Sequence, residues 1–228
     1  MNSTYTDPRW KDKIHSLSPK IGLEIGSLHG LDAIETLKEY NLEKMYIFEC
    51  NPTCIDIVQK NISDDDRFEL FKYAAWNTDE EISFFPVVES YDIQGNPSHK
   101  NEMHSCNIGA SSCFKSNGTW PYEKYIQAEI KVPGKRTEDV LSERGVDRID
   151  FICMDAQGAE LHALIGLEKY LPEVKAIITE LEIEAMYENQ SLFHEVVKFL
   201  EERGFYLEQS HIWSSAGDFL FINKKFVI

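Results

Sequence analysis

Short apolar runs alternate with amphipathic stretches along most of this chain, and that alternation constrains the fold more than any other feature. Residues 21–26 (IGLEIG) and 44–50 (KMYIFEC) are apolar runs that end at a turn or an acidic residue, as buried strands do. Between them, residues 32–40 set Ile34 and Leu37 on one helical face. Asn51 and Pro52 then supply a cap and a first-turn proline for a helix whose inner side holds Ile55 and Val58. Residues 68–76 read as a third strand, and 81–88 and 128–134 as further extended pieces; a helix is expected over 137–144. Residues 149–155 (IDFICMD) are apolar enough to be buried on both faces. A helix is expected over 158–171, with Leu161, Leu164 and Ile165 together, then a central strand over 174–182. Phe193, Val196, Val197 and Leu200 define a helix over 191–203 that Gly204 stops. Two strands, 205–210 and 218–225, close the chain with no helix between them.

This order predicts an α/β fold: a mostly parallel, Rossmann-like sheet with helices on both faces and an antiparallel pair at its edge. At 228 residues the chain suits one domain. Residues 1–20 stand outside the alternation and read as an N-terminal extension to a single domain over 21–228. Residues 89–125 interrupt it with a long stretch rich in Ser, Asn, Gly and Pro, which reads as an insert on the substrate side.

The formal net charge is -16, which opposes a polyanionic partner such as a nucleic acid. No apolar run approaches the ~20 residues of a membrane-spanning helix, and the N-terminus has no signal-peptide core. The five cysteines follow no zinc spacing and read as free thiols. A cytoplasmic protein is expected, with no membrane partner; the oligomeric state is not legible.

The stretch LEIGSLHG, residues 23–30, carries the first chemical signal. It follows a strand, where open α/β sheets bind ligands. A dinucleotide loop needs a middle glycine beside the pyrophosphate, and Leu28 stands there between Gly26 and Gly30. No Lys-Ser or Lys-Thr follows, so this is no phosphate-binding P-loop. Glu49 ends the second strand, where an acid meets ribose hydroxyls. Glu24, inside the first strand, could meet the ammonium of an amino-acid moiety. A carboxylate there is costly unless paired. Glu24, Gly26, Ser27, Gly30 and Glu49 together suit S-adenosylmethionine; a tight turn with close helix packing is the lesser alternative for the two glycines. Cys50, Ala75 and Trp76 follow neighbouring strands, and Trp76 is a candidate to stack on adenine or to fill core.

At residues 149–171, IDFICMDAQGAELHALIGLEKYL, the chain resembles the FkbM family of S-adenosylmethionine-dependent methyltransferases. Asp155, Gly158 and Glu160 match the family's strand-Asp and Glu-Gly-x-Glu turn, whereas Gln157 replaces a Glu. The likeness continues through FECNP, AIITELE and FLEERGFYL, and so covers residue 21 to the C-terminus. The family's loop resembles D-V-G-A-N-x-G, so Glu24 and the residues SLH are departures. The resemblance implies the class I methyltransferase fold, seven strands with the last antiparallel, and methyl transfer to a hydroxyl of a sugar, glycan or small natural product.

An alcohol loses a proton as it is methylated, so a base or a metal should stand nearby. Asp155, ending the 149–155 strand, is the first candidate, and Glu180 on the next strand the second. Gln157 is a hydrogen-bonding candidate toward cofactor or acceptor. Tyr91, Trp120, Tyr122 and His211 are candidate acceptor contacts; His29, His104 and His162 read as surface or structural. Asp155, Glu180 and Glu182 form an alternative Mg²⁺ set, disfavoured against a solvated strand end. Two other functions stay open: a nucleotide-binding or NAD-dependent module, and a methyltransferase-fold protein without catalysis.

Overall fold

The computed structural model describes residues 3–98 and 104–227. Twelve strands and six helices follow in chain order: α1 Pro8–Leu17, β1 Ile21–Ile25, α2 Leu31–Glu39, β2 Lys44–Phe48, α3 Pro52–Ile62, β3 Phe68–Phe71, β4 Ala74–Trp76, β5 Glu80–Phe84, β6 Val87–Asp92, β7 Glu123–Gln127, β8 Ile130–Arg136, α4 Thr137–Glu143, β9 Phe151–Met154, α5 Glu160–Ile165, β10 Ala176–Glu182, α6 Phe193–Glu202, β11 Phe205–Ile212 and β12 Ala216–Asn223.

Seven strands form the main sheet in the order β11-β12-β10-β9-β1-β2-β3. Pairs from β10 to β3 are parallel, and β12 is antiparallel to both β10 and β11. The expected antiparallel pair is present, but the last strand is inserted beside β10 and β11 takes the edge. This is the order of the class I methyltransferase sheet. Strand order reverses beside β1, so the ends of β1, β2 and β9 open onto the ligand-binding crevice.

Alternation along each central strand divides the core. Ile152 and Met154 of β9 join Leu23, Ile25 and Phe48 under α4, α5 and α6, through Leu141, Leu164 and Leu200. Phe151 and Cys153 face the other way, onto Trp10, Leu37 and Val58 of α1, α2 and α3. Helices therefore cover both faces.

Four expectations change. Residues 1–20 are not merely an extension: Asp7 caps α1, accepting from the Arg9 N–H, and Trp10 and Ile14 are completely buried against the sheet. The stretch 68–76 is two strands, because Lys72 and Tyr73 turn the chain out of the main sheet and β4 pairs with β8 in a separate three-stranded sheet. The helix expected over 158–171 is only the six residues of α5 before the chain turns. The insert over 89–125 also carries regular structure: β6 pairs antiparallel with β7, and a 3-10 turn spans Ile108–Ala110.

Candidate active site

The glycine loop is built onto the ends of three strands. Gly26 N–H donates to the Phe48 carbonyl at 3.0 Å, and Asp155 N–H donates to the Ile25 carbonyl at 3.0 Å. Gly26 has φ +77, and a Cβ there would stand 1.8 Å from the Asp155 carbonyl oxygen. Only glycine fits both demands. Glu49 clamps the loop that follows. Its Oε2 accepts from the N–H groups of Ser27 at 3.1 Å and Leu28 at 2.9 Å, and its Oε1 from Asn51 N–H at 2.7 Å. Burial raises the Glu49 carboxyl above its ordinary range, and these N–H groups pull it back. Much of its acceptor capacity is thus committed to backbone, a role the sequence reading did not foresee.

Glu24 lies fully buried in β1. Ser27 Oγ donates to its Oε2, while Oε1 has no partner. Burial pushes this carboxyl well up, with Asp32, Glu49 and Asp155 adding to the rise. An orphaned buried carboxylate oxygen under the loop is an acceptor waiting for a donor.

A cleft opens over this loop. Of the expected cofactor residues, Gly26, Glu49, Cys50, Ala75, Asp155 and Gln157 line it. Glu24 and Ser27 lie behind the lining, and Gly30 serves instead as the N-cap of α2. Trp76 is corrected: it is 8 % exposed, its ring stacks on His162 at 4.1 Å, and it does not line the cleft. The small β4–β8–β5 sheet draws it into a satellite core. The insert supplies residues the sequence reading missed, Ile108, Gly109, Ser111 and Cys113, as a facing wall. His29 Nε2 and His104 Nε2, 2.6 Å apart, join the loop to that insert.

A second cleft, about 1240 Å³, shares Gly109, Asp155 and Gln157 with the first. Trp120, Tyr122 and Glu180 are among its lining residues. Tyr91 and His211 are not: the Tyr91 hydroxyl donates to Glu89, and the His211 ring packs 5.6 Å from Trp213. Trp213, two residues beyond His211, is the aromatic that reaches the cleft. The interrupted backbone there, between β11 and β12, hid that position from a strand-pattern argument.

Acidic side chains gather where the clefts meet. Burial, then neighbouring carboxylates, raises Asp155, Glu160 and Glu180 above their ordinary range, and Glu182 and Asp218 to about 7. Gln157 threads this group. Its Nε2 donates to Asp155 Oδ1 at 2.6 Å and leans toward Glu180 Oε1 at 3.4 Å. Its Oε1 accepts from the Tyr187 hydroxyl at 2.6 Å. The alternative cation set is not assembled: Glu182 Oε2 accepts from Gln190 at 3.0 Å, and among the described residues no three acidic, His or Cys side chains are placed to hold a metal.

The comparisons agree with this geometry. A family model described as "Methyltransferase FkbM domain" matches residues 24–207. The 2-O-methyltransferase NoeI of Sinorhizobium fredii is 28% identical over 203 residues, covering 89% of this chain and 79% of that protein. The methyltransferase sdnD of Sordaria araneosa is 24% identical over 198 residues, covering 80% of this chain and 72% of that one. A precorrin-6y C5,15-methyltransferase structure from Geobacter metallireducens shares the fold at TM-score 0.50 and 10% identity, over 95% of this chain and 88% of that one. The chain belongs to the FkbM methyltransferase family, and it is an S-adenosylmethionine-dependent methyltransferase.

Proposed function

We propose that the protein methylates a hydroxyl oxygen of a sugar, a glycan or a small glycosylated natural product. The observation that carries this is the shared wall: Asp155 and Gln157 belong to both the loop-side cleft and the larger aromatic one. A base at that junction faces the donor on one side and the acceptor on the other.

The residues fit the cofactor. Gly26, Glu49, Cys50 and Ala75 would hold its nucleoside part, and the unpartnered Glu24 oxygen, buried behind the loop, would serve an amino-acid end only if the loop opened to it. Bound S-adenosylmethionine supplies an electrophilic methyl group on a sulfonium sulfur. Asp155 takes the proton that the acceptor hydroxyl loses, at a carboxylate oxygen, and Glu180 stands beside it as second base candidate. Trp120, Tyr122 and Trp213 offer flat apolar faces to sugar rings, with the Asn107 amide beside them. Ile108, Gly109, Ser111 and Cys113 of the insert wall the loop-side cleft, and Trp120 and Tyr122 the larger one. An Mg²⁺ ion is not part of this reading.

Among the described residues, no Lys or Arg lines the larger cleft, while Asp92, Glu123, Asp155 and Glu180 do. A neutral or cationic acceptor suits that field, and a phosphorylated one or a nucleic acid does not. NoeI's name as a 2-O-methyltransferase supports oxygen as the atom methylated. The five free thiols support a cytoplasmic setting, and among the described residues no helix is long and apolar enough to cross a membrane. Transfer of label from [methyl-³H]S-adenosylmethionine into a panel of neutral glycosides, with the matching nucleotide sugars alongside, tests the reading. Labelled glycosides are expected; label confined to nucleotide sugars, or to no carbohydrate, would refute it.

A further inference from the structure

Gln157 departs from the Glu that its family shows in this turn, and the structure gives that departure a partner. Tyr187 lies in the chain after β10 and is 1% exposed. Its backbone N–H and that of Met186 both donate to Gln190 Oε1, at 2.6 and 2.5 Å, and Gln190 Nε2 donates to Glu182 Oε2. Gln190 itself presses on the turn after Gln157, where a Cβ on Gly158 would stand 2.7 Å from its own Cβ. The phenol is therefore delivered to one place, with its oxygen 2.6 Å from Gln157 Oε1 and 3.1 Å from the Ala110 carbonyl. A single hydroxyl hydrogen serves the shorter contact first.

An amide can point either way. With its oxygen on the phenol, Gln157 presents N–H to Asp155 and Glu180. Turned over, it would set an oxygen 2.6 Å from a carboxylate oxygen, acceptor against acceptor. A Glu at 157 would place a third carboxylate in the same spot, without a hydrogen to offer unless it were protonated. We propose that Tyr187 is a positioning residue: its hydroxyl locks the Gln157 amide so that N–H faces Asp155, and thereby keeps Asp155 ionised and able to take a proton.

Burial and the neighbouring Asp32 of α2 work against that ionisation. The other titratable groups facing Asp155 are Glu24 of β1, Glu160 of α5, Glu180 and Glu182 of β10, Asp218 of β12, Tyr5 of the N-terminal turn and Tyr187 itself, and the Asp155 charge pushes each of them toward its neutral form. The hydrogen bond from the Gln157 side chain does most to favour the charged form, helped by the Gln157 backbone N–H. Removing the lock should therefore be visible on Asp155 directly.

This inference rests on Asp155 as the base, and its test needs no acceptor, so it can fail while that reading stands. Full-length protein carrying [¹³Cγ]aspartate is titrated by NMR, with the Asp155 signal identified by its loss in Asp155→Asn. In Tyr187→Phe the Asp155 midpoint should rise by about one pH unit or more. Gln157→Met should raise it similarly, and the double variant should go no further than Gln157→Met alone. An unmoved midpoint in Tyr187→Phe, or shifts that add in the double variant, would overturn the proposal. So would a Tyr187→Phe chain that no longer folds, because the hydroxyl would then be a structural requirement.

Discussion

The space where Gly26 would carry a side chain is filled by the carbonyl of Asp155, 1.8 Å from the position of its Cβ. The proposed cofactor turn and the strand end that carries Asp155, the proposed base, are thus pressed against each other. Gly26→Ala should separate them. It meets both that contact and the left-handed backbone, and should cost roughly 2–5 kcal/mol of stability. Chemical denaturation should read this loss, with S-adenosylhomocysteine affinity falling alongside; a variant of wild-type stability would mean that the loop relaxes freely.

Asp155→Asn keeps the side-chain shape and removes the proposed base. Turnover should fall by about 10²–10⁴-fold, with S-adenosylhomocysteine affinity close to wild type. Near-full activity in this variant would take Asp155 out of the chemistry.

Trp120, which lines the larger cleft, and Trp76, which lies in the satellite core, should behave differently. Trp120→Ala strips a ring from the acceptor cleft and should raise the acceptor KM by about five- to tenfold, leaving the cofactor alone. Trp76→Ala removes a core ring stacked on His162 and should cost about 3–5 kcal/mol of stability without weakening cofactor binding. Denaturation curves beside acceptor kinetics separate the two. Equal effects of both substitutions on acceptor KM would contradict the assignment.

Stability should fall as pH rises through the cluster's titration. Burial raises Glu182 and Asp218 to about 7, against about 4 in an unfolded chain. Between those values the folded state holds more protons than the unfolded one, so the slope of unfolding free energy with pH is negative. Each group contributes at most about 1.4 kcal/mol per pH unit in that window, and nothing further above it. Thermal unfolding should show a higher Tm near pH 5.5 than near pH 8, and Glu182→Gln should flatten the difference. A Tm that climbs over this range would show that the cluster ionises without cost.

Local signals carried the parts of the fold that depend on neighbours in sequence. The apolar runs of β1, β2, β9 and β10, the Asn51–Pro52 helix start and the Gly204 stop could all be read directly. The α1 start was written just as locally, as Asp7 before Pro8 with Trp10 and Ile14 four apart, and was passed over because it preceded the alternation. What could not be read was non-local. The β6–β7 pairing joins segments some thirty residues apart, and it is what brings Gly109 and Trp120 toward Asp155. Trp76 illustrates the same limit: its place after a strand was legible, but the turn of β4 into a second sheet, which removes it from the cleft, was not. Glu49 was found by its position, whereas its grip on Ser27 and Leu28 depends on the folded shape of the loop.

The central claim is that the loop between β1 and α2 is an S-adenosylmethionine site closed by Glu49. Calorimetry of S-adenosylhomocysteine and NAD against wild-type protein and Glu49→Ala tests it most directly. S-adenosylhomocysteine should bind saturably to the wild type and NAD should give no binding heat. Loss of the loop clamp and of ribose contact in Glu49→Ala should weaken S-adenosylhomocysteine by at least about tenfold. Binding of NAD in place of S-adenosylhomocysteine, or an unchanged dissociation constant in Glu49→Ala, would contradict the account.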